Sequence, residues 1–189
     1  MKKLLFLLIV LTIASIPSVA QTPTPAPQTV APAAKEANPA DVASIDAIMK
    51  AVYEVISGDA GQKRDWDRFR SLFHKDAKLI PSGKSRQTGV IGARYMTAED
   101  YVNGSGPMLE RDGFHERELA RHVDHYGNIA QVFSTYHAFR KKDDKEPFMR
   151  GINSFQLLND GKRWWVMNIF WMAETPDNPI PKEFLKDSK

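Results

Sequence analysis

Four polar side chains, Arg121, Ser134, Asn153 and Asn168, stand in segments that are otherwise rich in apolar residues. Their spacing from the turns places them in one row. Gly127-Asn128 and Asp160-Gly161 are dipeptides suited to two-residue hairpin turns, because Gly, Asn and Asp tolerate positive φ. Counting outward from the first turn sets His125 opposite Ala130, Val123 opposite Val132, Arg121 opposite Ser134 and Leu119 opposite Tyr136. Counting from the second sets Leu157 opposite Trp164, Phe155 opposite Val166 and Asn153 opposite Asn168. Matching apolar faces across the longer loop 141–146 then puts Val132 beside Phe155 and Ser134 beside Asn153. The row Arg121, Ser134, Asn153, Asn168 would be a polar stripe on an apolar wall that also holds Tyr136 and Phe170. Amides donate and accept hydrogen bonds, an arginine can stabilise an oxyanion and a tyrosine can move a proton. Arg121, Ser134, Tyr136, Asn153 and Asn168 are therefore the expected ligand-binding residues. The competing reading is a satisfied buried network that fixes sheet register and binds nothing.

Other chemistry has less support. His122 and Asp124 share a face of a strand, but His125 points the other way, so the three cannot hold one ion. With five scattered histidines and no cysteine, no metal or other cofactor is expected. Gly104-Ser105-Gly106 lacks the strand-to-helix setting of a phosphate loop. Ser134 has only His125 as a distant partner on its wall, which argues against nucleophilic catalysis.

The elements that must position this wall are three helices followed by four long strands. Asp41 is a candidate cap for a helix in which Ile45, Ile48, Met49, Val52, Tyr53 and Ile56 recur at helical spacing, ending at Gly58. A second helix fits Asp65 to Phe73, and a strand 77–80 closes at Pro81-Ser82-Gly83. Thr97-Ala98-Glu99-Asp100 resembles a capping box for a third helix, which Gly104, Gly106 and Pro107 interrupt. The strands fall at about 114–126, 129–140, 147–159 and 162–173. This is an α+β arrangement.

The opposite sheet face carries Glu116, Glu118, His122, Asp124, Arg150 and Gln156, together with Trp165, Met167, Ile169 and Trp171. Its last two strands are too apolar to be left wet. A homodimer through Trp165, Met167, Ile169 and Trp171 is expected, and coverage by residues 176–185 is the alternative.

The ends bound the setting. Lys2 and Lys3, an apolar run from Leu4 to Ile16 and Ser18-Val19-Ala20 have the form of a secretory signal peptide over residues 1–20. Export to the periplasm or medium is expected, with no membrane anchor after cleavage. Residues 21–40, rich in Pro, Ala and Thr, read as a disordered tether. The domain is expected over 41–181 and a tail over 182–189. Without residues 1–20, Lys+Arg falls from 26 to 24 against 23 Asp+Glu, which leaves no argument for nucleic acid as a partner.

Several stretches resemble the NTF2-like superfamily, and within it bacterial SnoaL-like proteins. They are LFHKDAKL (72–79), YGNIAQVFSTY (126–136), GINSFQLLNDGKRWW (151–165) and GKRWWVMNIFW (161–171). The likeness covers nearly all of 41–173. It implies a cone in which three N-terminal helices pack on a strongly curved antiparallel sheet, a cavity between them, and frequent dimers. It transfers no catalytic residue. The position five after Asp76, where the steroid isomerase branch has its base, is Pro81, and the pair His122 and Asp124 falls on the outer face.

Three functions follow. Binding of a small apolar or amphipathic molecule ranks first, because no carboxylate, and no histidine apart from the distant His125, is expected on the inner wall. An acid–base enzyme of isomerase, dehydratase or cyclase type ranks second, with Tyr53, Tyr95, Tyr101 and Asp76 able to approach from the helix side. A filled cone serving as an interaction module ranks third. A titratable group of perturbed pKa inside the cavity would favour the enzyme.

Overall fold

The computed structural model describes residues 36–85 and 87–186. The expected signal peptide and residues 21–35 of the expected tether lie outside the described residues, while 36–40, expected in the tether, lead into the first helix. Ala37 is buried, and Asn38 caps a one-turn helix α1 (Pro39–Val42). Ser44, not Asp41, caps α2 (Ile45–Ile56), accepting from the Ala47 N–H. Asp41 instead makes a bidentate pair with Arg68, both bonds 2.8 Å long. Asp65 caps α3 (Trp66–Leu72). The capping box at Thr97 and Asp100 opens α4 (Ala98–Asp112). This helix runs through Gly104 and Pro107, although Pro107 has no N–H for the turn before it. The small residue there has a use: Gly106 lies under the Trp66 indole, where a side chain would sit 3.0 Å from the ring.

The strands are β1 (Phe73–Lys84), β2 (Ile91–Ala93), β3 (His115–Tyr126), β4 (Ile129–Phe139), β5 (Met149–Asn159) and β6 (Trp164–Ala173). They form one sheet in the order β2-β1-β6-β5-β4-β3. The four long strands make the expected antiparallel meander. β1 enters parallel to β6 and does not stop at Pro81. The Pro81 carbonyl accepts from the Arg94 N–H, and the Ser82 hydroxyl bonds the Trp171 carbonyl, so the chain stays in the sheet beyond the proline.

The turn at Gly127-Asn128 has the expected two residues, and of the two only Gly127, with φ at +55°, takes the left-handed conformation. Arg121 pairs with Ser134, Val132 with Phe155 and Ser134 with Asn153, as the spacing predicts.

Two β-bulges break the rest of the expected register. In β3, Glu118 pairs with Tyr136 and Ala120 with Thr135, leaving Leu119 as the extra residue. Residues before it change face: Glu116 and Glu118 turn inward and Leu119 is exposed. In β6 the hairpin loop has four residues, since Asn159 pairs with Trp164, and a bulge at Met167 follows. Beyond it Ile169 and Trp171 face the core, while Asn168 and Phe170 face out. Asn168 therefore pairs with Gln156 and not with Asn153. The expected dimer face loses Ile169 and Trp171 to the interior. Over β4, the outer face is covered in part by the tail: Phe184 stacks on Phe133 at 5.6 Å, and Thr135 bonds the Phe184 carbonyl.

Candidate functional site

Between α2, α4 and the inner sheet face lies a cavity of about 180 Å³. Apolar side chains make most of its wall, among them Val52, Phe69, Leu109, Phe155, Ile169 and Trp171. The polar groups that reach it are Tyr53, Tyr101, Ser105, Glu116, Tyr136 and Asn153. Met108 lines it too, yet is exposed, so it stands at a rim.

The helix walls are fixed by one buried cation. The Arg64 guanidinium donates to the carbonyls of Ile56, Gly58 and Leu109, tying the end of α2 to α4. Helix C-termini leave such carbonyls unsatisfied. The start of β3 is stitched to the same point. Gly58 and Phe114 exchange backbone bonds of 2.7 and 3.0 Å, and the Glu116 N–H donates to the Ser57 hydroxyl at 3.0 Å. Glu116 is thus held beside Tyr53 of α2.

A chain of side-chain bonds runs behind the cavity. Asn153 Nδ2 donates to Glu116 Oε1 at 3.0 Å and to Tyr53 Oη at 3.2 Å. Tyr53 Oη lies 2.7 Å from Ser134 Oγ. Ser134 donates to Glu118 Oε1 at 2.5 Å. Glu118 pairs with Arg121, which also reaches Asp46.

Burial pushes the Glu116 carboxyl up to about 7, while the Asn153 N–H pulls the other way. Glu116 keeps part of its surface, which faces the cavity on one side and a polar cleft beside Arg121 on the other. Burial, and then the neighbouring Glu116, raise the Tyr136 and Tyr101 phenols. Tyr136 is 2 % exposed, and its hydroxyl has no hydrogen-bond partner among the described residues. Gly151 makes room for that ring: a Cβ there would overlap Tyr136 Oη.

Of the residues expected from sequence, Tyr136 and Asn153 line the cavity. Ser134 is fully buried one step behind it, bonded to Tyr53 and Glu118. Arg121 stands in the cleft, engaged by carboxylates. Asn168 is on the outer face, where its side-chain oxygen is buried without a partner among the described residues. Of the helix-side candidates, Tyr53 and Tyr101 reach the cavity, whereas Tyr95 is exposed and Asp76 pairs with Lys75 outside it. Alternation along the sequence puts Glu116 on the outer face, because the bulge leaves the hydrophobic alternation of the rest of the strand intact. Among the described residues no cluster of His, Asp and Glu could hold a metal ion.

Neither a protein-family model nor a curated protein matches the chain in sequence. Solved structures do match in fold. A protein of unknown function with a cystatin-like fold from Nostoc punctiforme superposes with a TM-score of 0.53 at 12% identity, covering 70% of this chain and 90% of that one. A putative calcium/calmodulin-dependent protein kinase type II association domain from Thiobacillus denitrificans gives 0.50 at 10% identity, covering 70% and 96%. An NTF2-like protein of unknown function from Silicibacter pomeroyi gives 0.47 at 13% identity, covering 70% and 94%. At these identities the likeness is one of fold. The chain has a cystatin-like α+β fold, with helices packed on one curved, open sheet.

Proposed function

We propose that the cavity binds a small, mostly apolar carbonyl compound and moves a proton on it. The observation that carries this reading is the Glu116 carboxyl, desolvated to a pKa of about 7 on an otherwise greasy wall. A group poised near neutrality can take and return a proton at similar cost. In this reading the Glu116 carboxylate removes a proton from the carbon next to the carbonyl. The C–H electron pair becomes the C=C bond of an enolate, and the carbonyl π pair moves to oxygen. The Tyr136 O–H, which has no partner among the described residues, donates to that oxygen. Glu116 then returns its proton to carbon. The cavity is small beside the roughly 300–1,000 Å³ of drug-sized sites, which favours a compact substrate.

Binding without turnover was favoured while no carboxylate stood on the inner wall; the Leu119 bulge removes that argument. The two readings separate in D₂O. The full chain is incubated with cyclohexanone or cyclopentanone, and loss of the α-proton signal is followed by NMR. Exchange faster than buffer that is lost in E116Q supports proton transfer. Saturable binding with no added exchange by the wild type supports a binding module.

A further inference from the structure

We propose that Glu118, which does not line the cavity, is a positioning residue that sets which way the Asn153 amide faces Glu116. This rests on the reading of Glu116 as the proton-transfer group and deepens it.

The argument is a count of donors. A carboxylate paired with Arg121 can only accept, so Ser134, 2.5 Å away, must spend its single proton on Glu118. The Ser134 oxygen is then free only to accept, so Tyr53, 2.7 Å away, must donate to it. With its proton used, Tyr53 Oη can only accept from Asn153. Asn153 must therefore turn its NH₂, and not its oxygen, toward Tyr53. The second proton of that NH₂ reaches Glu116 Oε1 at 3.0 Å. Each bond follows from the one before, and the polarity begins at Glu118. Every link is inside the wall: Ser134 is fully buried, and Tyr53 and Asn153 nearly so.

The consequence is specific. An N–H turned toward Glu116 favours its charged form, which is the form a base needs. Reverse the chain and the Asn153 oxygen would face Glu116 instead, favouring the protonated acid. The charged and titratable groups around this end are Lys50, Tyr53 and Glu54 from α2, Tyr101 from α4, His115, Arg117, Glu118 and Arg121 from β3, Tyr136 from β4 and Lys142 from the loop after β4.

Through-space electrostatics and the hydrogen-bond chain make opposite forecasts for E118Q. Removing a negative charge near Glu116 should by itself ease its ionisation and lower its titration midpoint. Releasing the chain should let Asn153 turn and raise it. The experiment is a pH titration of the full chain carrying ¹³C-labelled glutamate, with the Glu116 signal identified by its loss in E116Q. The midpoint is expected to rise by about one pH unit in E118Q, the worth of one hydrogen bond. S134A leaves the Glu118 charge in place but cuts the chain, and should raise it similarly, while S134T, which restores a hydroxyl, should bring it back. A fall in E118Q, or no change in S134A, overturns the proposal. Failure of the proton-transfer reading would look different: these shifts would appear in a protein that does not exchange the ketone.

Discussion

Asn153 on β5 donates to Glu116 on β3 over 3.0 Å, although β4 runs between the two strands. On a flat sheet the two would lie out of reach, since strands two apart are nearly 10 Å from each other and Glu116 and Asn153 pair with β4 residues four positions apart, Ala138 and Ser134. Curvature of the sheet and the inward turn of Glu116 at the Leu119 bulge bring the pair together.

Replacing Glu116 separates function from stability. E116Q should reduce ketone exchange by about 10²–10⁴, the usual worth of a general base. It should also stabilise the fold at pH 8. A carboxyl whose folded pKa of about 7 exceeds its unfolded value near 4.5 carries no penalty below 4.5. Between 4.5 and 7 the unfolded chain ionises first and native stability falls; above 7 the loss is constant. Urea denaturation should therefore show E116Q and wild type alike at pH 4, and E116Q more stable by about 2–3 kcal/mol at pH 8.

Tyr136 should behave in the same direction. Its hydroxyl is buried and unpartnered, so Y136F removes a desolvated group and should cost no stability, or add up to about 1 kcal/mol. Exchange should nonetheless fall by about 10–10³ through loss of the enolate donor. Thermal melts and the exchange rate, taken on one preparation, test both halves.

Arg64 carries the opposite expectation. Its guanidinium satisfies carbonyls at the ends of two helices that wall the cavity. R64A should destabilise the protein by about 2–4 kcal/mol by leaving them unpaired. Denaturant midpoints would show this, and a loss under 1 kcal/mol would mean that water replaces the side chain.

Gly151 tests the packing around Tyr136. A methyl group there would overlap Tyr136 Oη and the Met172 carbonyl, and the backbone carbonyl cannot yield. G151A should cost about 1–3 kcal/mol and displace the phenol, so exchange should fall with stability, unlike in Y136F.

The meander was legible because glycine marks the β3–β4 turn and because matching apolar faces sets Val132 of β4 beside Phe155 of β5, the register found. Ser134 beside Asn153 and the capping box at Thr97 follow from such local rules. Asn168 was misplaced for a physical reason. The stretch WWVMNIFW is apolar on both faces, so alternation gives no warning of the bulge at Met167. Leu119 misled in a similar way, since an inward leucine is unremarkable and its outward turn depends on tertiary pairing. Arg64 and the parallel entry of β1 beside β6 are long-range features, with no local pattern to announce them.

The most direct measurement is the titration midpoint of Glu116 itself, read by ¹³C NMR in the wild-type chain with E116Q as the assignment control. A midpoint near 7 is what a carboxyl desolvated in the cavity must show. A midpoint near 4.5 would place Glu116 in contact with water, and the account of the cavity as a proton-transfer site would be wrong.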